Sequence, residues 1–247
     1  MYLQNKNKHK RDKRIRFDKC PHIYYVDEKP IKISVTKFVH EKFKAFNANK
    51  IATKVEIKNK NNEKSEYYGM NKSEILEKWE KNRVEASQQG TILHDSIEKY
   101  YNNEKVENDS IEYKYFLNFQ QDYIDLEAYR TEWEIYYEEA SLAGSIDMLY
   151  KNSDGSYSIY DWKRTKKIEK NTMFEFGEKP LDHFPNTNFW HYSLQLNTYK
   201  YILENKYDMV IKDMYLVVLH PNNDNYERIE VPQLQDDIDT LIKLKVT

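Results

Sequence analysis

Residues 142–163, LAGSIDMLYKNSDGSYSIYDWK, read as two short strands joined by a tight turn, and each strand carries one acid. Ser153-Asp154-Gly155 fits a three-residue hairpin loop, a type I turn closed by a glycine in the left-handed region, with Asn152 and Ser156 as the flanking pair. If Asn152 faces Ser156, pairing runs outward and sets Asp147 directly opposite Asp161, on one face with Cβ atoms roughly 5 Å apart. Lys163, two residues further on, projects from the same face. Two carboxylates this close repel and raise each other's pKa, so a cation is expected between them. Hard oxygen ligands select Mg²⁺ or Mn²⁺. A slip of one residue would scatter the group, so the reading rests on the turn.

Working outward, residues 130–138 mix aromatic and polar residues as a strand does, with Glu132 and Glu134 on one face and Trp133 and Ile135 on the other. Either acid is in reach of the hairpin, although a solvated polar face accounts for Glu132 more simply than for Glu134. Upstream, Asn71 and Glu74 form a capping-box start to a helical stripe through Ile75, Leu76, Trp79 and Val84. Gly90-Thr91 is expected to interrupt it. A new helix over 91–101 then presents His94 and Glu98 one turn apart on one face.

Residues 104–139 hold eleven acids against Lys105, Lys114 and Arg130, chiefly as the wet side of a helix carrying Phe116 and Phe119. Downstream, Arg164, Lys166 and Lys167 lie where a phosphate backbone would approach a metal site, while a solvated charge run is the plainer account. Residues 171–189 form an aromatic loop of a length that tends to be functional, with stacking of bases on Phe or Trp190 as one use and packing as the other. A helix follows over 189–203 with Gln195 and Tyr199 one turn apart, then a buried strand MYLVVL at 214–219, a partner strand over 226–231, and a final amphipathic helix after Pro232.

Composition narrows the class. At 247 residues with 32% charged residues the chain suits a soluble protein with a proper core, and no run approaches the roughly 20 apolar residues of a membrane span. The first residues lack the apolar stretch of a secretory signal, which leads us to expect an intracellular setting. Cys20 is the only cysteine, which excludes an internal disulfide and a four-cysteine iron–sulfur cluster. Net charge is −2, yet residues 1–20 carry eight Lys and Arg against two Asp. Such a basic arm, Arg14 and Arg16 included, either tracks phosphates or is simply a solvated terminus. Two short strands around residues 27–30, a helix after Ser34 or Thr36 as cap, a second helix over 47–57 and a polar loop at 59–65 make an N-terminal lobe.

Four motifs now stand in order: Gly90-Thr91-x-x-His94-x-x-x-Glu98, Gly144-x-x-Asp147, Asp161-Trp162-Lys163 and Gln195-x-x-x-Tyr199. Together they resemble the RecB-type nuclease branch of the PD-(D/E)XK superfamily, which includes mitochondrial genome maintenance exonucleases and CRISPR-associated adaptation nucleases. The likeness covers about half the chain. Ser34-Val35-Thr36, Tyr67-Tyr68-Gly69 and Trp79 are similar to virus- or phage-encoded members.

The resemblance implies an α/β (α+β) fold, with a mixed central sheet flanked by helices as the nuclease core over 90–247, a mainly helical lobe over 21–89 and an arm over 1–20. It implies metal binding by Asp147, Asp161 and His94 with the Trp162 carbonyl, and a Lys163 that orients or deprotonates water or stabilises charge on the phosphoryl group. It further implies that Glu98, Gln195 and Tyr199 organise the site or contact the strand being cut. The expected activity is Mg²⁺- or Mn²⁺-dependent hydrolysis of DNA at ends or single strands, without an iron–sulfur cluster. An RNA endonuclease with the same site, or an inactive nucleic-acid-binding module, remain the alternatives.

Overall fold

The hairpin forms as its turn dictates. In the computed structural model, which describes residues 1–246, the Asn152 N–H donates to the Ser156 carbonyl at 2.8 Å and the Gly155 N–H donates to the Asn152 carbonyl at 3.0 Å. Gly155 has φ +85°, the left-handed conformation that only glycine adopts freely. Asp154 fixes the loop further by accepting from the Ser156 N–H at 3.0 Å. The strands pair Met148 with Tyr160, Leu149 with Ile159, Tyr150 with Ser158 and Lys151 with Tyr157, the register read from the turn.

These strands, β6 (Leu142–Lys151) and β7 (Tyr157–Lys163), centre a six-stranded sheet. One edge of β6 is covered along its length by antiparallel β5 (Glu127–Tyr137). The other edge is shared: the short parallel strand β4 (Ile33–Ser34) pairs with Leu142 and Ala143, and β7 takes over only from Met148. Residues 144–147 therefore face a break in the sheet between β4 and β7. Beyond β7 come parallel β8 (Ile211–Val218) and antiparallel β9 (Glu227–Glu230). The protein is thus a mixed α/β structure whose mixed sheet is flanked by helices.

Burial explains the layering. On one face Trp133, Ile146, Leu149 and Leu216 pack against α6 (Asn188–Lys206) through Leu196, Tyr199, Ile202 and Leu203. On the other, Met148, Tyr150, Tyr160 and Trp162 pack against α5 (Ile111–Asp122) and the end of α4 (Lys72–Tyr101). α5 starts at Ser110, whose hydroxyl accepts from the Tyr113 N–H. A further cluster joins α2 (Val35–His40) and α7 (Gln235–Val246) to α6.

Two expectations are corrected. Residues 1–20 are not an arm: α1 (Tyr2–Lys6), a 3₁₀ turn (Lys10–Arg14) and β1 (Ile15–Asp18) are ordered elements, and β1 pairs with β2 (Ile23–Val26), which pairs with β3 (Lys29–Pro30). Acids absorb their charge, as in Arg11–Glu138 at 2.6 Å and Arg14–Asp27 at 2.6 Å. Nor does Gly90 break the chain, because α4 runs through it from Lys72 to Tyr101. A lone glycine costs a helix only about 1 kcal/mol, which the continuous backbone ladder outweighs.

The chain divides into two compact units, Met1–Lys44 with Leu93–Thr247, and Ala45–Ile92. Only the second is the helical lobe, so the lobe begins later than residue 21. It holds α3 (Ala48–Asn59), capped by Asn47, and the start of α4, where Asn71 and Glu74 make the reciprocal capping-box bonds at 2.7 and 3.1 Å. Among the described residues no helix is long and apolar enough to cross a membrane.

Candidate metal centre

The break in the sheet is where the charged side chains gather. Past Met148 the β6–β7 ladder stops, and the Asp147 carboxylate takes the place of a backbone partner by accepting from the Trp162 N–H at 2.9 Å. Trp162 is held still by edge contacts of its ring with Phe116 and Phe119, at 5.6 and 5.4 Å between centroids. Its carbonyl lies 3.0 Å from His94 Nε2, at the end of α4. The other ring nitrogen of His94 lies 3.3 Å from Glu132 and 3.7 Å from Asp147. Ligand atoms of His94, Glu132 and Asp147 all fall within 4.8 Å of one another.

Glu132, for which the sequence favoured a solvated polar face, is the addition. Strand alternation sets it beside Glu134 on a polar face, but its φ is +42°, a left-handed conformation that a glutamate adopts at a cost of about 1–3 kcal/mol. The kink directs its carboxylate to His94, and the Ser145 hydroxyl donates to its second oxygen at 3.2 Å. Glu134 is outside this group. No periodicity argument reveals a backbone outlier of this kind.

Asp161 and Lys163 stand next to this trio as a pair of their own, with Nζ 2.6 Å from the carboxylate. The expected direct opposition of Asp147 and Asp161 is altered by the early end of the ladder, because β7 pairs with β6 only as far as Tyr160 while it stays paired with β8 through Lys163. The two acids still feel each other. Burial pushes Asp161 up to about 6, with Asp147 adding to the shift while Lys163 opposes it. Burial also raises Asp147, against the pull of His94. For His94 burial acts downward, but Asp147 and Glu132 outweigh it and set its pKa at about 9. Asp161 and Asp147 likewise overcome burial at Lys163 and hold it above its usual value, so in this state it is an ammonium and not a base. The ammonium sits 4.7 Å from the Tyr192 ring centroid.

Three acids thus face one lysine and one histidine in a largely dry site, with each cation already engaged. One imidazole nitrogen, carboxylates and a backbone carbonyl are donors that could hold a hard divalent cation, and an added cation would relieve the excess of negative charge.

The remaining expected residues are spread over several places. Glu98 lies one turn after His94, its carboxyl raised by burial and by Glu132. Gln195 donates to the Tyr199 hydroxyl at 3.0 Å, and Tyr199 packs so closely over β6 that a Cβ on Gly144 would lie 2.7 Å from its ring. Arg164 is bound to Glu112 at 2.6 Å and Lys167 to Glu169 at 2.8 Å, while Lys166 is exposed. Arg14 and Arg16 pair with Asp27 and Glu28 at 2.6 and 2.9 Å. Each of these arginines is thus paired with an acid. Trp190 is packed, with its ring 4.7 Å from Phe184 and its N–H bonded to the Lys170 carbonyl, whereas Phe174 is 85% exposed.

No protein-family model matches this chain, and no curated protein matches it. Among solved structures, one described as "Crystal structure of SSO0001" aligns over 87% of this chain and 74% of its own at 14% identity, with a TM-score of 0.33. A superposition that loose carries no argument about fold or function.

Proposed function

We propose that this chain is a divalent-metal-dependent nuclease of the PD-(D/E)XK type that hydrolyses phosphodiester bonds in DNA, acting at ends or on single strands. The observation that carries the reading is the convergence of His94, Glu132 and Asp147 within 4.8 Å, beside the buried Lys163–Asp161 pair. Three of the four motifs that resemble the RecB-type branch fall on these same elements, and the fourth lies on α6, where Tyr199 packs against Gly144.

His94, Glu132 and Asp147 would hold Mg²⁺ or Mn²⁺, with Asp161 and the Trp162 carbonyl adjoining. When bound, such an ion polarises a phosphoryl oxygen and activates a water molecule. The chain itself supplies the fixed charge. Asp161 anchors Lys163 by a 2.6 Å contact, so the ammonium waits, already oriented, for the negative charge that builds on the phosphoryl group. Burial strengthens that interaction because little water screens it. Trp162, wedged between α5 and the sheet, keeps its N–H on Asp147 and so holds that carboxylate in register.

The test is a digest of 5′- and 3′-labelled single-stranded, duplex and circular DNA, with matched RNA, in Mg²⁺ or Mn²⁺. Cleavage should require metal and stop with chelator, and Lys163→Ala should lower the rate by about a thousandfold or more while the protein stays folded. Full activity in that variant would sink the mechanism. Uncut circles identify an end requirement, and cleavage confined to RNA would replace DNA as the substrate.

A further inference from the structure

The break in the sheet opens on a second feature. Between Gly144 on β6, α2 and α6 lies a cavity of about 290 Å³, lined by His22, Tyr24, Thr36, Lys37, His40 and Tyr199. It adjoins the charged cluster: the Tyr199 hydroxyl feels Asp147 and Asp161, and Tyr24 feels Glu132 and Asp147. Its chemistry is the reverse of the cluster's. It contains no carboxylate but a lysine, two imidazoles, hydroxyls and aromatic faces.

Three details show how the cavity is built. Gly144 lacks the side chain that would collide with Tyr199, which lets that ring pack down on β6 and leaves space above it. Gln195 donates to the Tyr199 hydroxyl at 3.0 Å and reaches Thr36 Oγ1 at 3.4 Å, linking the two walls. His22 is held at φ +56°, an unfavourable conformation for a residue with a side chain. The volume lies at the small end of ligand pockets, the size of one nucleotide and not of an oligomer.

We propose that this cavity is the subsite for a single nucleotide of the strand being cut, on the side of Gly144 away from the charged trio. This rests on the nuclease reading above. Lys37, whose ammonium is otherwise 3.9 Å from Glu41, and the hydroxyls of Ser34 and Thr36 take the phosphate. Tyr24 and the two imidazoles face the sugar and base. Such a subsite feeds the strand past Gly144 towards Asp147 and sets where the bond is broken relative to the bound nucleotide.

The test measures binding of deoxyadenosine 5′-monophosphate, deoxyadenosine and inorganic phosphate by calorimetry, in chelator so that no metal contributes. The monophosphate should bind saturably and more tightly than either fragment. Because Lys37 and His40 are exposed, Lys37→Ala with His40→Ala should leave the fold intact and weaken binding about tenfold. The same double variant should raise KM for DNA with kcat little changed. Monophosphate binding lost in the double variant, in a protein that cuts nothing, would keep the subsite and reject the nuclease reading. Cleavage without monophosphate binding, or binding and KM unmoved by the double variant, overturns the subsite alone.

Discussion

His94 and His191 sit in partly buried surroundings that differ in one respect. Both are pushed down by burial. Around His191 the neighbours are His40 and Phe43, at ring-centroid distances of 5.2 and 4.2 Å, and its pKa falls to about 4. Around His94 stand Glu132 and Asp147, and the pKa rises to about 9. Desolvation with no acid nearby, helped by His40, thus gives a neutral imidazole, whereas desolvation with surplus acid gives a place that demands positive charge. Arg14 and Arg16 supply the third case, with each cation answered by acids in solvent.

Within this comparison the largest effect should come from removing the surplus acid. Glu132→Gln is expected to abolish the rise in melting temperature that Mn²⁺ gives the unaltered protein and to lower cleavage about a hundredfold, while His191→Gln does neither. Glu132→Gly sharpens this. It relieves the positive φ, so in chelator it should melt no lower than the parent and gain up to about 1 kcal/mol, yet be equally impaired in cleavage. A glycine variant that cuts normally would remove Glu132 from the site.

Next comes Arg11, whose guanidinium donates to the Tyr136 carbonyl at 3.1 Å and to Glu138 at 2.6 Å from a buried position. Arg11→Ala should cost about 2 kcal/mol in urea unfolding, because hydrogen bonds to a charged group are lost from the interior. Smaller again is the pH response of His191. Its folded pKa lies below the unfolded value of about 6.5, so the unfolded chain takes the proton first. Stability from this residue is complete above about pH 6.5 and is lost as pH falls towards 4. The urea midpoint of the parent should drop more between pH 7 and pH 5 than that of His191→Gln. Smallest are Arg14→Ala and Arg16→Ala, expected to move neither the melting temperature nor the cleavage rate, because solvent screens both pairs. A loss of DNA binding in either would restore the phosphate-tracking role expected from the sequence.

The hairpin was legible because its causes are local. A glycine in the left-handed region, an Asx-type loop and period-two alternation fix register through neighbours, so Asp147, Asp161 and Lys163 could be brought together from spacing alone. The caps of α3, α4 and α5 are local in the same way. Gly90 shows where such reasoning overreaches, since a weak local preference lost to the continuity of a 30-residue helix.

Only the tertiary structure decided what completes the site. Glu132 reaches His94 through a backbone outlier within a strand, and the sequence encodes that strain nowhere. Asp161 turned from opposing acid to partner of Lys163 because the ladder between β6 and β7 ends at Tyr160. The arginines of residues 1–20 were answered by acids scattered as far away as Glu138. The amino-acid order determined the hairpin, its register and which charged groups it presents, since those follow from contacts between near neighbours. Which of the groups stay surplus and which are neutralised depended on side chains from other elements, His94 on α4 and Glu132 on β5, and only the packed sheet and helices could bring those together.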